Sequence, residues 1–124
     1  MICGIGTDIS EVKRFSKWIK NPNLYSRFFN IKEIKDSGSE GTKCQHYAAR
    51  FAAKEAFSKA LGTGLIFPLK DVYITNDSSG KPELNVEGKA ADILDEKFGK
   101  CVVHVSLSHE KEYAIAFVVI ENRG

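Results

Sequence analysis

The sequence predicts an α+β fold, a mostly antiparallel sheet packed on one long central helix. Three observations predict it. Runs of alternating apolar character open and close the chain, at Met1–Ile9, Cys101–Ser108 and Tyr113–Glu121, as strands with one covered face do. One long unbroken run, from about Lys43 to Leu61, stops at Gly62 and Gly64, residues that end helices. The last two strand runs follow one another closely, as the arms of a hairpin do.

Along Met1–Ile9, Cys3, Ile5, Thr7 and Ile9 point one way and Ile2, Gly4, Gly6 and Asp8 the other. The second face is bare until Asp8, which leaves room for something to approach the backbone closely. Asp8 or Ser10 is placed to cap a first helix running to about Lys20, with Val12, Phe15, Trp18 and Ile19 on its apolar face. Asn21-Pro22-Asn23 breaks that helix. Leu24–Asp36 reads as one or two short helices with Tyr25, Phe28, Phe29, Ile31 and Ile34 as core candidates, and residues 37–42 as a loop.

The long helix follows. At about 100° per residue, Cys44, Ala48, Phe51, Ala52, Glu55 and Gly62 share one arc. Glu55 sits at the middle of that apolar stripe, and Lys59 comes one turn later. Asp71–Asn76 and Glu83–Val86 read as a pair of strands about the turn Asp77–Pro82, and Gly88–Phe98 as a helix through Ala91, Ile93, Leu94 and Phe98.

The 124 residues fit a single domain, 1–124, with room for one hydrophobic core. The net charge of +2 is too small to argue for nucleic acid. Lys13, Arg14, Lys17, Lys20, Arg27, Lys32 and Lys35 nevertheless cluster in the N-terminal half, and such a face draws an acidic partner. Three cysteines, Cys3, Cys44 and Cys101, match neither a zinc site nor a disulfide framework. No apolar run is long enough to span a membrane, and no signal-peptide pattern opens the chain. The expected location is the cytoplasm.

Taken singly, Asp8 is a helix cap and Glu55 the partner of Lys59 in a helix-stabilising pair. Taken together, they are two carboxylates on different elements, one at a glycine-bared strand end and one on an apolar helix face. That suits Mg²⁺, which takes oxygen ligands, often one or two carboxylates, with water and phosphate completing its shell. Gly62-Thr63-Gly64 either stops the helix or opens backbone N–H groups to a phosphate. It lacks the Gly-Lys-Ser/Thr of a P-loop, and Gly4-Ile-Gly6 lacks the third glycine of a dinucleotide fingerprint. Ser106 and Ser108 share a strand face, with His109 just past its end. No zinc-protease motif, catalytic triad or Cys/His dyad can be built from the residue order.

Four segments carry a resemblance: Gly4-Ile-Gly-Thr-Asp-Ile9, Arg50-Phe-Ala-Ala-Lys-Glu-Ala-Phe-Ser-Lys-Ala-Leu-Gly-Thr-Gly64, Gly80-Lys-Pro82 and Val105-Ser-Leu-Ser-His109. In this order and over this length, the chain resembles the bacterial holo-[acyl-carrier-protein] synthases, the short type of 4′-phosphopantetheinyl transferase. The resemblance implies the phosphopantetheinyl transferase fold and Mg²⁺-dependent transfer of phosphopantetheine from coenzyme A to a serine of an apo-acyl carrier protein, in fatty acid biosynthesis. Asp8 and Glu55 would hold Mg²⁺ against the pyrophosphate, Lys59 would contact phosphate, and Glu55 would take the serine proton, directly or through water. Ser58, Gly62, Thr63, Lys81 and Pro82 would line the coenzyme A site, with Ser106 and His109 facing its nucleotide end. Arg14 and Arg50 would grip the acidic carrier. Members of the family are trimers with interfacial active sites, so a homotrimer is expected. Residues 36–46 and 65–69 match the pattern only loosely, which leaves the partner of the 3′-phosphate open between Lys43 and His46. Two other functions fit parts of the pattern: a non-catalytic module binding a nucleotide or coenzyme A, and a small metal-dependent nuclease. The first leaves Glu55 without a purpose; the second calls for a denser acidic cluster and a stronger basic groove.

Overall fold

The computed structural model describes residues 1–124. Strand β1 (Ile2–Glu11) pairs antiparallel with β5 (Tyr113–Asn122), which pairs antiparallel with β4 (Cys101–His109), giving the order β1-β5-β4. A separate hairpin is formed by β2 (Val72–Asn76) and β3 (Pro82–Val86). Helix α3 (Glu40–Leu61) runs between the two sheets, and α1 (Ser16–Ile19), α2 (Pro22–Phe28) and α4 (Gly88–Phe98) complete the chain.

Central strand β5 sets the packing. Ala114, Ala116, Val118 and Ile120 all face α3 and are fully buried, the two-residue period of a half-covered sheet. Beside them, Gly4 and Gly6 of β1 let α3 lie directly on the strand. A Cβ on Gly4 would fall 1.9 Å from the carbonyl oxygen of Ala60, and one on Gly6 1.9 Å from that of Ala56. The close approach expected from the bare strand face is therefore made by α3 itself.

Several expectations need correction. Helix α3 is not striped: Tyr47, Ala48, Ala49, Ala52, Ala53, Lys54, Ala56, Phe57 and Leu61 are buried around its circumference, because it has neighbours on nearly every side. It also starts earlier than expected, at Glu40, where Ser39 Oγ accepts a hydrogen bond of 3.1 Å from Thr42 N–H. Neither Asp8 nor Ser10 caps a helix. Pairing with β5 continues to Glu11 opposite Tyr113, so the strand takes both residues, and the first helix shrinks to a 3₁₀ turn (Val12–Phe15) followed by α1. Ile31 is 85% exposed rather than core, while Phe29 is buried as expected. Val12, Phe15, Phe29, Tyr47 and Phe51 form a second core cluster at the N-terminal end of α3.

The outer face of the three-stranded sheet is apolar and uncovered. Ile5 and Ile9 of β1 and Tyr113, Ile115 and Phe117 of β5 are each exposed by 42% or more.

Candidate active site

Residue alternation along β1 carries Asp8 onto the same face as Gly4 and Gly6, next to α3. There Lys59 Nζ donates to Asp8 Oδ1 at 3.0 Å and to the Thr7 carbonyl at 3.1 Å. Glu55 lies one helical turn before Lys59. Its carboxyl is pushed above the ordinary range, first by burial and then by Asp8, while Lys59 and Arg14 pull it back. Arg14 reaches this corner by laying its guanidinium over the rings of Phe15 and Phe51, at 5.4 and 5.0 Å. The strand thus brings one carboxylate, the helix a second carboxylate and an ammonium, and the turn after the strand a guanidinium.

This donor set fits Mg²⁺ better than a softer metal. Both candidate ligands are carboxylates, no group of three or more His, Cys, Asp or Glu side chains is gathered here or elsewhere, and Mg²⁺ tolerates such sparse protein ligation when phosphate and water supply the rest.

Helix α3 ends beside this corner. Gly62 closes it in the left-handed conformation, φ 80°, with its N–H bonded to the Ser58 carbonyl at 2.9 Å. A non-glycine residue is strained at that φ. Thr63 follows, half-buried, with its hydroxyl on the Gly64 carbonyl at 3.0 Å. Ser58 is buried, and its Oγ donates to the Glu55 carbonyl at 2.7 Å, so its hydroxyl is spent on the helix it belongs to.

Arg50, Pro82 and His109 gather on the other flank of α3. A cleft of about 340 Å³ is lined by Lys35, His46, Arg50, Asn76, Pro82 and His109 among others. Arg50 Nη2 donates to Asn76 Oδ1 at 3.0 Å, and Arg50 Nε is buried without a partner. His46 Nε2 lies 2.6 Å from the Glu33 carbonyl. A carbonyl only accepts, so Nε2 carries the proton. Burial, followed by the neighbouring Arg50, lowers the His46 pKa to about 4, and the ring is neutral at pH 7. Lys81 is exposed at the tip of the β2–β3 hairpin, where its N–H binds Asp77 Oδ1 at 2.9 Å.

Most of the expected charged residues therefore fall into two groups. On a helix turning about 100° per residue, Glu55 and Lys59 lie roughly 140° and 180° around the axis from Arg50. Asp8, Glu55, Lys59, Gly62 and Arg14 form one group; Arg50, Pro82 and His109 form the other. The two arginines thus do not make one patch. Ser106 and His109 also part company: β4 alternates, so Ser106 faces outward with Ser108, while His109 turns to the α3 side and enters the Arg50 cleft. Sequence reasoning left His46 unassigned and passed over Asn76. The first had a legible signal, since it precedes Arg50 by four residues and so shares its helix face. The second had none, because its place follows from how the hairpin docks.

Known proteins resemble this chain over nearly its whole length. The family model of the 4′-phosphopantetheinyl transferase superfamily matches residues 4–118. A holo-[acyl-carrier-protein] synthase of Treponema denticola is 48% identical, covering 98% of this chain and 99% of that one. The crystal structure of the Neisseria meningitidis holo-[acyl-carrier-protein] synthase superposes with a TM-score of 0.83 at 36% identity, covering 98% of this chain and 100% of that one. The Bacillus anthracis enzyme, solved in complex with CoA (3′,5′-ADP), gives 0.78 at 35% identity, with 99% of each chain covered. A family model matched over residues 4–118, with relatives alike over nearly the whole length of both chains, places the chain in the 4′-phosphopantetheinyl transferase superfamily, among its holo-[acyl-carrier-protein] synthases.

Proposed function

We propose that this chain transfers 4′-phosphopantetheine from coenzyme A to a serine of an apo-acyl carrier protein, with Mg²⁺ held by Asp8 and Glu55. The observation that carries the reading is the corner where Lys59 contacts Asp8 at 3.0 Å beside a Glu55 carboxyl raised by burial. A raised carboxyl is a better proton acceptor than an ordinary one near neutral pH. The serine hydroxyl attacks the β-phosphorus of coenzyme A and gives its proton to Glu55. The bond from that phosphorus to the bridging oxygen breaks, and adenosine 3′,5′-bisphosphate leaves with the electron pair. Lys59, 55% exposed at its side chain, swings from Asp8 to the pyrophosphate and holds charge there. Mg²⁺, when bound, offsets the negative charge of the pyrophosphate and leaving group.

The second flank suits the nucleotide end. A buried Arg50 Nε without a partner, with Lys35 and His109 around it, is a ready site for a phosphate oxygen. This favours Arg50 as a coenzyme A contact and leaves Arg14 as the carrier contact. Of Lys43 and His46, only His46 lines the cleft.

Because the two groups lie on opposite flanks of α3, one chain does not close a site around coenzyme A. A homotrimer, in which one subunit's Asp8–Glu55–Lys59 corner meets the next subunit's Arg50–Pro82–His109 cleft, accounts for this separation. The uncovered Ile5, Ile9, Ile115 and Phe117 supply an apolar contact face, and Ser106 lies on that outer face. The 124 residues act as one domain, since α3 packs on both sheets. No helix is long and apolar enough to cross a membrane, and a reducing cytoplasm suits three free cysteines.

The test is to mix the protein with coenzyme A, MgCl₂ and apo-acyl carrier protein and weigh the carrier by mass spectrometry. Gain of phosphopantetheine supports the reading; binding of coenzyme A without transfer to any of several carriers refutes it. Glu55→Gln is expected to abolish transfer while leaving the fold intact.

A further inference from the structure

Lys54 and Glu33 form a fully buried ion pair outside the corner and the cleft, with Lys54 Nζ 2.6 Å from Glu33 Oε1 and side chains 1% and 0% exposed. Every polar group of the pair is engaged. Lys54 donates its other two hydrogens to the carbonyls of Leu69 (3.1 Å) and Val72 (2.5 Å). Glu33 Oε1 also accepts from Asn30 N–H (3.1 Å), and its Oε2 accepts from Ile74 N–H (2.9 Å). Val72 and Ile74 are alternate residues of β2, whose other edge is taken by β3. The pair therefore gives the open edge of β2 the donor and acceptor that a third strand would give.

That edge leads to the cleft. Two residues beyond Ile74, Asn76 holds Arg50 at 3.0 Å. The next register position pairs Asn76 with Pro82, which also lines the cleft. Glu33 acts a second time through its backbone: its carbonyl holds His46 at 2.6 Å. Lys54 is on α3, immediately before Glu55. One buried pair thus links the helix of the acid–base corner to the hairpin and histidine of the opposite flank. A purely apolar contact fills space but does not fix register, whereas five directional bonds at once do.

We infer that Lys54 and Glu33 are positioning residues for coenzyme A: they set the β2–β3 hairpin, and through Asn76 and His46 the Arg50 cleft, at the distance from α3 that the nucleotide end requires. The inference rests on the function proposed above. Removing one partner leaves an unpaired buried charge and destabilises the fold strongly, whereas replacing both by apolar residues removes the charge and leaves only the cost of the unpaired backbone groups of Asn30, Leu69, Val72 and Ile74. The double variant Glu33→Leu/Lys54→Met therefore separates positioning from stability.

The probes are adenosine 3′,5′-bisphosphate in titration calorimetry and coenzyme A in steady-state kinetics, with wild type alongside. The double variant is expected to melt cooperatively. Its dissociation constant for the bisphosphate and its KM for coenzyme A should each rise about tenfold, the equivalent of one or two lost hydrogen bonds, while kcat changes little. A folded double variant with wild-type affinity and KM overturns the inference. Asn76→Ala, at an exposed position, tests the same link without touching the pair. It should weaken bisphosphate binding about fivefold, and unchanged binding likewise overturns the inference, even if the double variant does not fold. Failure of the wild type itself to bind coenzyme A would instead sink the proposed function.

Discussion

Gly6→Ala tests the spacing on which the acid–base corner depends. An ideal Cβ at Gly6 falls 1.9 Å from the Ala56 carbonyl oxygen and 2.7 Å from the Ala60 nitrogen, and real Cβ atoms essentially never come closer than 3.0 Å to such atoms. The nearer contact must open by at least 1.1 Å, the difference between 3.0 and 1.9 Å. Both obstacles are helix backbone, so no side chain can turn aside. Either β1 bows away from β5 or α3 lifts from the sheet, and each unpacks Ala56, Ala60 and Val118. Overpacking of this kind costs about 3 kcal/mol, roughly 10 °C in melting temperature for a chain of this size. The same displacement separates Asp8 from Lys59, now 3.0 Å apart, and a misplacement of about 1 Å can cost on the order of 100-fold in rate. The assay pairs a thermal melt with transfer kinetics at a temperature where the variant is still folded. A Gly6→Ala protein that melts within about 2 °C of wild type and transfers at the wild-type rate would refute the argument that bare β1 sets the height of the helix.

The other glycine of interest behaves oppositely: Gly41, in the first turn of α3, would gain a Cβ whose nearest neighbour is Ser39 Oγ at 4.0 Å, so Gly41→Ala should stabilise the protein by about 0.5 kcal/mol in denaturant unfolding. Acid should destabilise the fold between pH 6.5 and about 4, because His46 ionises near 6.5 when unfolded but only near 4 when folded; the unfolded chain binds the extra proton in that window, and up to about 3 kcal/mol is lost by pH 4, a loss that His46→Gln should reduce in urea titrations at pH 7 and pH 4.5. Arg14→Ala should raise KM for the carrier protein about tenfold while leaving coenzyme A affinity unchanged, and raising the salt concentration should mimic it by screening. An equal loss for both ligands would contradict that division of roles.

The parts of the fold legible in the sequence were those whose physics is local. Two-residue alternation gave β1, β4 and β5, and Gly62 marked the end of α3 because only glycine takes φ 80° there without strain. The glycine-bared face of β1 was legible as a place of close approach, since a missing side chain has few other uses in a strand. What stayed hidden depended on partners distant in the chain. Asp8 and Ser10 have the chemistry of helix caps, yet β5, more than 100 positions away, claims them for a strand. Lys54 sits among Ala52, Ala53 and Ala56 in the long helix, and nothing near it in the chain announces Glu33, 21 residues earlier. Its ammonium is buried because a carboxylate from Glu33 and two carbonyls from the Leu69–Val72 stretch converge on it.

Helix α3 explains why the candidate site residues form one motif in the sequence and lie apart in space. Arg50, Glu55 and Lys59 stand within ten residues, so a linear motif makes them one signal. An α-helix, however, sends residues five and nine apart to different sides, and burial of α3 on nearly all sides means each flank meets a different partner. Glu55 and Lys59 meet Asp8 of β1; Arg50 meets Asn76 of the hairpin. A ligand with two charged ends, a pyrophosphate and a 3′-phosphate, could bridge these flanks only by passing through the core or by spanning from one chain to another. The first is closed by Ala52, Ala53, Ala56 and Phe57, all at 1% exposure or less. The second would use the apolar sheet face of Ile5, Ile9, Ile115 and Phe117. The same geometry thus keeps the two candidate groups apart in one chain and leaves an apolar surface uncovered, and the assembly proposed above would answer both.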